Sequence, residues 1–211
     1  MDDQTPIRRR KRSASAGLSA AGALAMLGGC DAGPSDAELS RRQFGEPTEV
    51  SAFSSVPECV ASGAFSQVQC VEAQQTAQTQ DTQAAPRFAD QDVCEDQFGE
   101  GQCAARYSGG QSFFVPLLTG FMIGRLLDGG RGYRYQPLYR SRRDDRYYTG
   151  GGAWLYSGGY GGRPYGYQVG SRAVTNPVTT QRIQTRSSVV SRGGFGGRAS
   201  SRGGWGGGRG G

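Results

Sequence analysis

Histidine is missing from all 211 residues. That absence excludes Ser/His/Asp and Cys/His nucleophile systems and most zinc or copper sites in one step. Cysteine is scarce, with five residues, and no two of them form a Cys-x-x-Cys pair. A redox-active dithiol therefore has no basis here. No apolar run is long enough to span a bilayer: the stretch from Ala14 to Leu27 holds about 14 residues, against the ~20 that a spanning helix needs. Beyond Arg131, aliphatic residues are few while glycine is abundant, contributing to 36 glycines in the whole chain. A segment of that kind cannot offset its ordering entropy, and disorder is its default expectation.

What is present begins with an address. The basic run Arg8-Arg9-Arg10-Lys11-Arg12 precedes the short apolar stretch, and Leu27-Gly28-Gly29-Cys30 follows it. That order is the order of a bacterial export signal, residues 1–29. Leucine at minus three and two glycines before cysteine resemble the lipobox read by lipoprotein signal peptidase, which makes Cys30 the expected lipidation site. Lys11, Arg12 and Ser13 stand where twin-arginine export prefers apolar residues, so the general route is expected. Asp31 resembles the residue that retains enterobacterial lipoproteins in the inner membrane; the choice between inner and outer membrane stays open. Residues 30–49 are expected to be a linker from the lipidated cysteine.

Charge is segregated. From Cys30 to Gly130 there are five arginines against fourteen acidic residues, a net of −9; from Arg131 to Gly211 there are fourteen arginines and two aspartates, a net of +12. One half repels polyanions and the other attracts them.

With Cys30 assigned to lipid, Cys59, Cys70, Cys94 and Cys103 form an even set, which in an exported chain implies disulfides rather than metal ligands. Four cysteines allow three connectivities, and short local loops favour Cys59–Cys70 and Cys94–Cys103. Bridged Cα atoms sit within ~7 Å, so the chain must turn inside each loop. Ser62-Gly63 and Gly99-Glu100-Gly101 supply the turns, with Gly99 placed as a helix C-cap. A helix is expected over Phe65–Gln83, rich in Gln and Ala and stopped by Pro86. A second is expected over Gln91–Phe98, capped by Asp90. Residues 50–107 thus form an α-rich, disulfide-stapled unit, each staple contributing about 3 kcal/mol on chain-entropy grounds.

Residues 113–128 hold the long apolar run of the mature chain. Pro116 suits an early helical turn and Asp128-Gly129-Gly130 an ending, so a short apolar helix is expected. Gly120 and Gly124 would notch one face for close helix approach. Phe113, Phe114, Leu117, Gly120, Phe121 and Gly124 are the candidate contacts to a membrane surface or a partner helix, the competing reading being a core helix packed on the stapled unit.

Residues 131–211 form a basic tail of Gly, Arg, Tyr and Ser, expected to be disordered. Val174 to Val190, with some β-branched residues, could be extended. Arg-Gly-Gly recurs at Arg192, Arg202 and Arg209, with Phe195 and Trp205 nearby. In the cytoplasm such a tail would suggest nucleic-acid binding, with arginines on phosphate and rings stacked on bases. In an exported chain the same three arginines would meet anionic lipid, anionic glycolipid or acidic protein surfaces, or act only as part of a soluble spacer.

The strings CVASGAFSQVQC, VCEDQFGEGQC and FFVPLLTGFMIGRLL, with SRGGFGG later, resemble the YgiB family of uncharacterised bacterial envelope proteins. The resemblance covers roughly Pro57–Leu127 and Arg192–Gly197. It implies a small exported protein carrying a lipobox, with no catalytic residues to transfer; the Arg/Tyr-rich stretch from Gly132 to Tyr167 departs from it.

These readings converge on a non-enzymatic, lipid-anchored envelope protein facing the periplasm, without cofactor or metal, contacting membrane, an envelope protein or an anionic glycolipid. The alternative is a nucleic-acid-binding protein using the Arg-Gly-Gly tail. An enzyme would have to rely on carboxylates such as Glu95, Asp96 and Glu100, which more simply form a solvated acidic face.

Overall fold

The computed structural model describes residues 34–125, 132–157 and 164–191. The chain order is α1 (Asp36–Phe44), β1 (Pro47–Phe53), α2 (Val56–Ala61), α3 (Gln67–Ala84), β2 (Arg87–Phe88), α4 (Gln91–Phe98), β3 (Cys103–Ser108) and β4 (Gln111–Pro116). It continues with β5 (Gly120–Arg125), β6 (Tyr133–Arg140), β7 (Tyr147–Thr149), β8 (Gly166–Gly170), α5 (Arg172–Thr175), β9 (Ile183–Gln184) and α6 (Arg186–Ser191). Within the stretch expected to be a linker, Ser35 caps α1 by accepting the Glu38 N–H, and β1 begins at Pro47.

Two sheets organise these elements, with the orders β7-β6-β5-β1-β8 and β3-β4-β2-β9. The first is antiparallel throughout, with Val50 opposite Gly124 and Tyr167, and Met122 opposite Gln136. Residues 153–156 bridge its two edges: Trp154 pairs with Tyr148 of β7, and Tyr156 with Gln168 of β8. The sheet therefore curls round an apolar interior of Val50, Ala52, Met122, Leu138, Leu155, Val169 and Val174. Because strand side chains alternate in direction, the opposite face presents Phe53, Phe121, Ile123, Tyr133 and Tyr135 to α2 and α3. The second sheet buries Phe88, Phe113 and Val115 with Val93, Cys94 and Phe98 of α4, and this cluster extends to Tyr139, Tyr148, Trp154 and Tyr156.

This architecture corrects the α-rich expectation. The helices over 67–84 and 91–98 are present, and Gly99, at φ +108, accompanies the end of the second. The apolar helix expected over 113–128 is absent as far as Arg125; residues 126–128 of that expectation lie outside the described residues. Its first part is β4 and its second is β5, in different sheets, joined through Leu117-Leu118-Thr119. Pro116 closes a strand instead of opening a helix. All residues of β5 except Arg125 are buried, and a strand covered on both faces reads as a continuous apolar run. Gly120 and Gly124 likewise notch no helix. A Cβ at Gly120 would strike the Phe53 carbonyl, and one at Gly124 would lie 2.9 Å from Val174 Cγ1.

The expectation of a disordered tail is corrected over 132–157 and 164–191. β6, β7 and β8 supply three of the five strands of the first sheet, and Tyr139, Tyr148, Trp154 and Tyr156 are buried. Aromatic side chains bury large areas and favour strands, which compensates for the missing aliphatics. Of the stretch from Val174 to Val190, only Ile183–Gln184 is a strand, between the short helices α5 and α6.

Candidate functional site

The four cysteines pair as Cys59–Cys70 and Cys94–Cys103, with Cα separations of 5.8 and 6.2 Å. Cys59, Cys70 and Cys94 are wholly buried. Gly63, at φ +67, turns the chain inside the first loop, and Gly101, at φ +69, inside the second. Each bridge fixes a helix: the first joins α2 to α3, the second joins α4 to β3.

Of the proposed contact residues, Phe113 and Phe121 are 3% and 1% exposed and belong to the core. Phe114 is half-buried opposite Phe88 across β2 and β4. Leu117 is exposed, in the connection between the sheets. These residues form no common apolar face. Cys30, Arg192, Arg202 and Arg209 lie outside the described residues, as does the signal segment 1–29.

The segregated charges meet across the fold. Arg146 grips Asp36 with two hydrogen bonds of 3.0 and 2.7 Å, and Arg186 pairs with Asp92 and reaches Asp96 at 3.7 Å. Glu95 accepts from the Gln91 amide and from the Gly101 N–H. The acidic residues of α4 thus hold neighbouring chain in place. Among the described residues, no group of three or more His, Cys, Asp or Glu is arranged to hold a metal ion, and no helix is long and apolar enough to cross a membrane.

A cleft of about 400 Å³ lies where α1, α5 and the β7 turn converge. Gln136 of β6 and Thr149 of β7 lie in its floor, 7% and 2% exposed. Gln136 points to the inner face of the curled sheet, where its Nε2 donates to the Ala173 carbonyl. The Thr149 Oγ1 accepts the Ala153 N–H at 3.2 Å, and the turn is closed by the Gly152 N–H donating to the Thr149 carbonyl. Arg172 stands at the rim, exposed, donating Nη1 to the Gln43 carbonyl at 3.4 Å. Phe44, Ala84, Ala153, Pro177 and Val178 supply the apolar walls, and among the described residues no carboxylate or thiol lines the cleft. Two close approaches shape it: a Cβ at Gly150 would overlap the Ala84 carbonyl, and one at Gly170 would overlap Phe44. Sequence reasoning missed Gln136, Thr149 and Arg172, because no spacing relates residues that converge only when β6, β7 and α5 pack.

Comparison with known proteins places this geometry in a family. A family described as "Protein of unknown function (DUF1190)" matches residues 47–206. The chain belongs to the DUF1190 family. The match begins where β1 begins, so the DUF1190 region holds every described strand and both disulfides, while α1 precedes it. A UPF0441 protein of Erwinia tasmaniensis is 31% identical over 160 residues, which cover 70% of each chain. No solved structure matches this DUF1190 protein.

Proposed function

We propose that this DUF1190 protein is a non-enzymatic, lipid-anchored component of the bacterial cell envelope, of the YgiB type, facing the periplasm and contacting an envelope partner. The observation that carries this reading is the cysteine pairing: all four cysteines after Cys30 are joined in two disulfides. Such bonds persist in oxidising compartments, and they account for every cysteine but Cys30, which stands where the sequence resembles a lipobox. A chain without histidine and a cleft that no described carboxylate or thiol lines favour binding over catalysis.

The test is metabolic labelling with an alkyne fatty acid in a bacterial host, comparing wild type with Cys30→Ala. Label on the wild type and none on the variant is expected, together with loss of the variant from the membrane fraction. Label retained by Cys30→Ala overturns the anchor. Recovery of the protein from the cytosol bound to RNA would replace the whole reading with nucleic-acid binding through the Arg-Gly-Gly repeats.

A further inference from the structure

We infer that the cleft between α1, α5 and the β7 turn is a binding site for a short peptide ending in a free carboxylate. The polar groups define the ligand. The Gln136 Nε2 is engaged with the Ala173 carbonyl, so the side chain keeps its Oε1, an acceptor, and one further N–H to offer. The Thr149 Oγ1 already accepts the Ala153 N–H, so its hydroxyl proton is what remains to donate. Both residues are more than nine-tenths buried, so a hydrogen bond made to either from within the cleft is shielded from bulk water. An amide supplies both complements at once, its N–H to Gln136 and its C=O to Thr149.

Arg172 adds the third element. Its guanidinium has one long hydrogen bond, to a carbonyl, and no carboxylate partner among the described residues. A planar guanidinium matches a carboxylate in two parallel hydrogen bonds. The walls of Ala84, Ala153, Pro177 and Val178 suit small apolar side chains. A volume of about 400 Å³ lies low in the range of small-ligand sites, which fits a few residues and no folded domain. This inference rests on the envelope reading only for where the ligand is met.

Isothermal titration of the purified full-length protein with acetyl-Ala-Ala tests it, against acetyl-Ala-Ala amide and glucuronate. Saturable binding of the free acid is expected, weakened at least tenfold by amidation and at least tenfold in Arg172→Gln, a surface change. Gln136→Leu and Thr149→Val should weaken it further, with thermal melts confirming that each variant folds. No saturable binding of the free acid, or equal binding by Arg172→Gln, overturns the site. Glucuronate binding as well as the peptide overturns the peptide assignment in favour of a general organic-anion site. Acyl labelling of Cys30 is unaffected by all these outcomes, so failure of the cleft and failure of the anchor are separately visible.

Discussion

Asp81 lies on the buried stripe of α3, and its carboxylate accepts from Tyr139 Oη at 2.6 Å and from Arg106 Nη2 at 2.5 Å. One side chain thus ties α3 to β6 of the first sheet and to β3 of the second. Asp81→Ala would leave a buried phenol and a partly buried guanidinium without their acceptor. A loss of about 3 kcal/mol is expected, at the low end for a broken buried pair because Arg106 retains some solvent; the urea midpoint measures it. Asp81→Asn keeps an acceptor for Tyr139 and should lose less. The same contact sets an alkaline limit. Burial first, and then the Asp81 charge, push the Tyr139 phenol well above its ordinary value of 10.0. Tyr148 is raised too, by burial and then by its hydrogen bond to Asp144. Above pH 10 the unfolded chain releases these protons while the folded chain keeps them, so stability falls as pH rises, by up to about 1.4 kcal/mol per pH unit for each tyrosine. Below pH 10 the contribution is constant. Denaturation midpoints followed from pH 8 to 11 should be level at first and then decline, with a shallower decline in Tyr139→Phe.

At the scale of elements, α3 owes little to its own amphipathicity. Its buried positions are Cys70, Ala73, Ala77, Asp81 and Ala84, spaced to form one stripe. Alanines bury little surface, so the helix is held by close approach to β5 and β6 and by its tether. The capping box of Ser66 and Gln69 orders its first turn, and Cys59–Cys70 fixes that turn to α2. A bridge across eleven residues contributes about 3 kcal/mol on chain-entropy grounds. The double change Cys59→Ala and Cys70→Ala should therefore lower stability by about that amount, and raise hydrogen exchange first in α2 and the first turns of α3. Uniform exchange across both sheets would contradict this. Both helices and the local turns were legible in the sequence because their signals are local: glycines, Gln- and Ala-rich composition and the absence of proline; Asp90, expected to cap α4, stands at its N-cap without a side-chain capping hydrogen bond. β4 and β5 were not. Phe113-Phe114-Val115 and Phe121-Met122-Ile123 face other elements on both sides, so neither run alternates, and a short unalternating run fits helix or strand equally. For β5 only a partner distant in sequence, Val50–Phe53, decides the matter. For β4 the partner is local, since Ala104–Arg106 lies across the Gly109-Gly110 turn, a two-residue hairpin signal that the apolar run beside it outweighed. The cleft is illegible for the same reason, since Gln136, Thr149 and Arg172 converge through pairing alone.

The whole molecule turns on residues that composition marks as tail. Without β6, β7 and β8 the first sheet would keep β1 and β5 alone, and an isolated two-stranded pair is marginal at best in water. α3 would lose Tyr135 and Tyr139 as packing partners, Asp36 would lose Arg146, and α4 would lose Arg186. The acidic half, with its net of −9, would also be left with its own repulsion. A chain ended after Gly130 is therefore expected not to fold, even with both disulfides oxidised. Ending the chain after Ser191 instead keeps every described element and should preserve the fold. Circular dichroism and one-dimensional proton spectra of the two truncations decide between a scaffold completed by the basic half and a stapled domain that merely carries it. A cooperative melt and dispersed methyl signals from the 30–130 chain would show that the stapled unit stands alone. Loss of both there, with retention in the 30–191 chain, would place the basic half inside the fold.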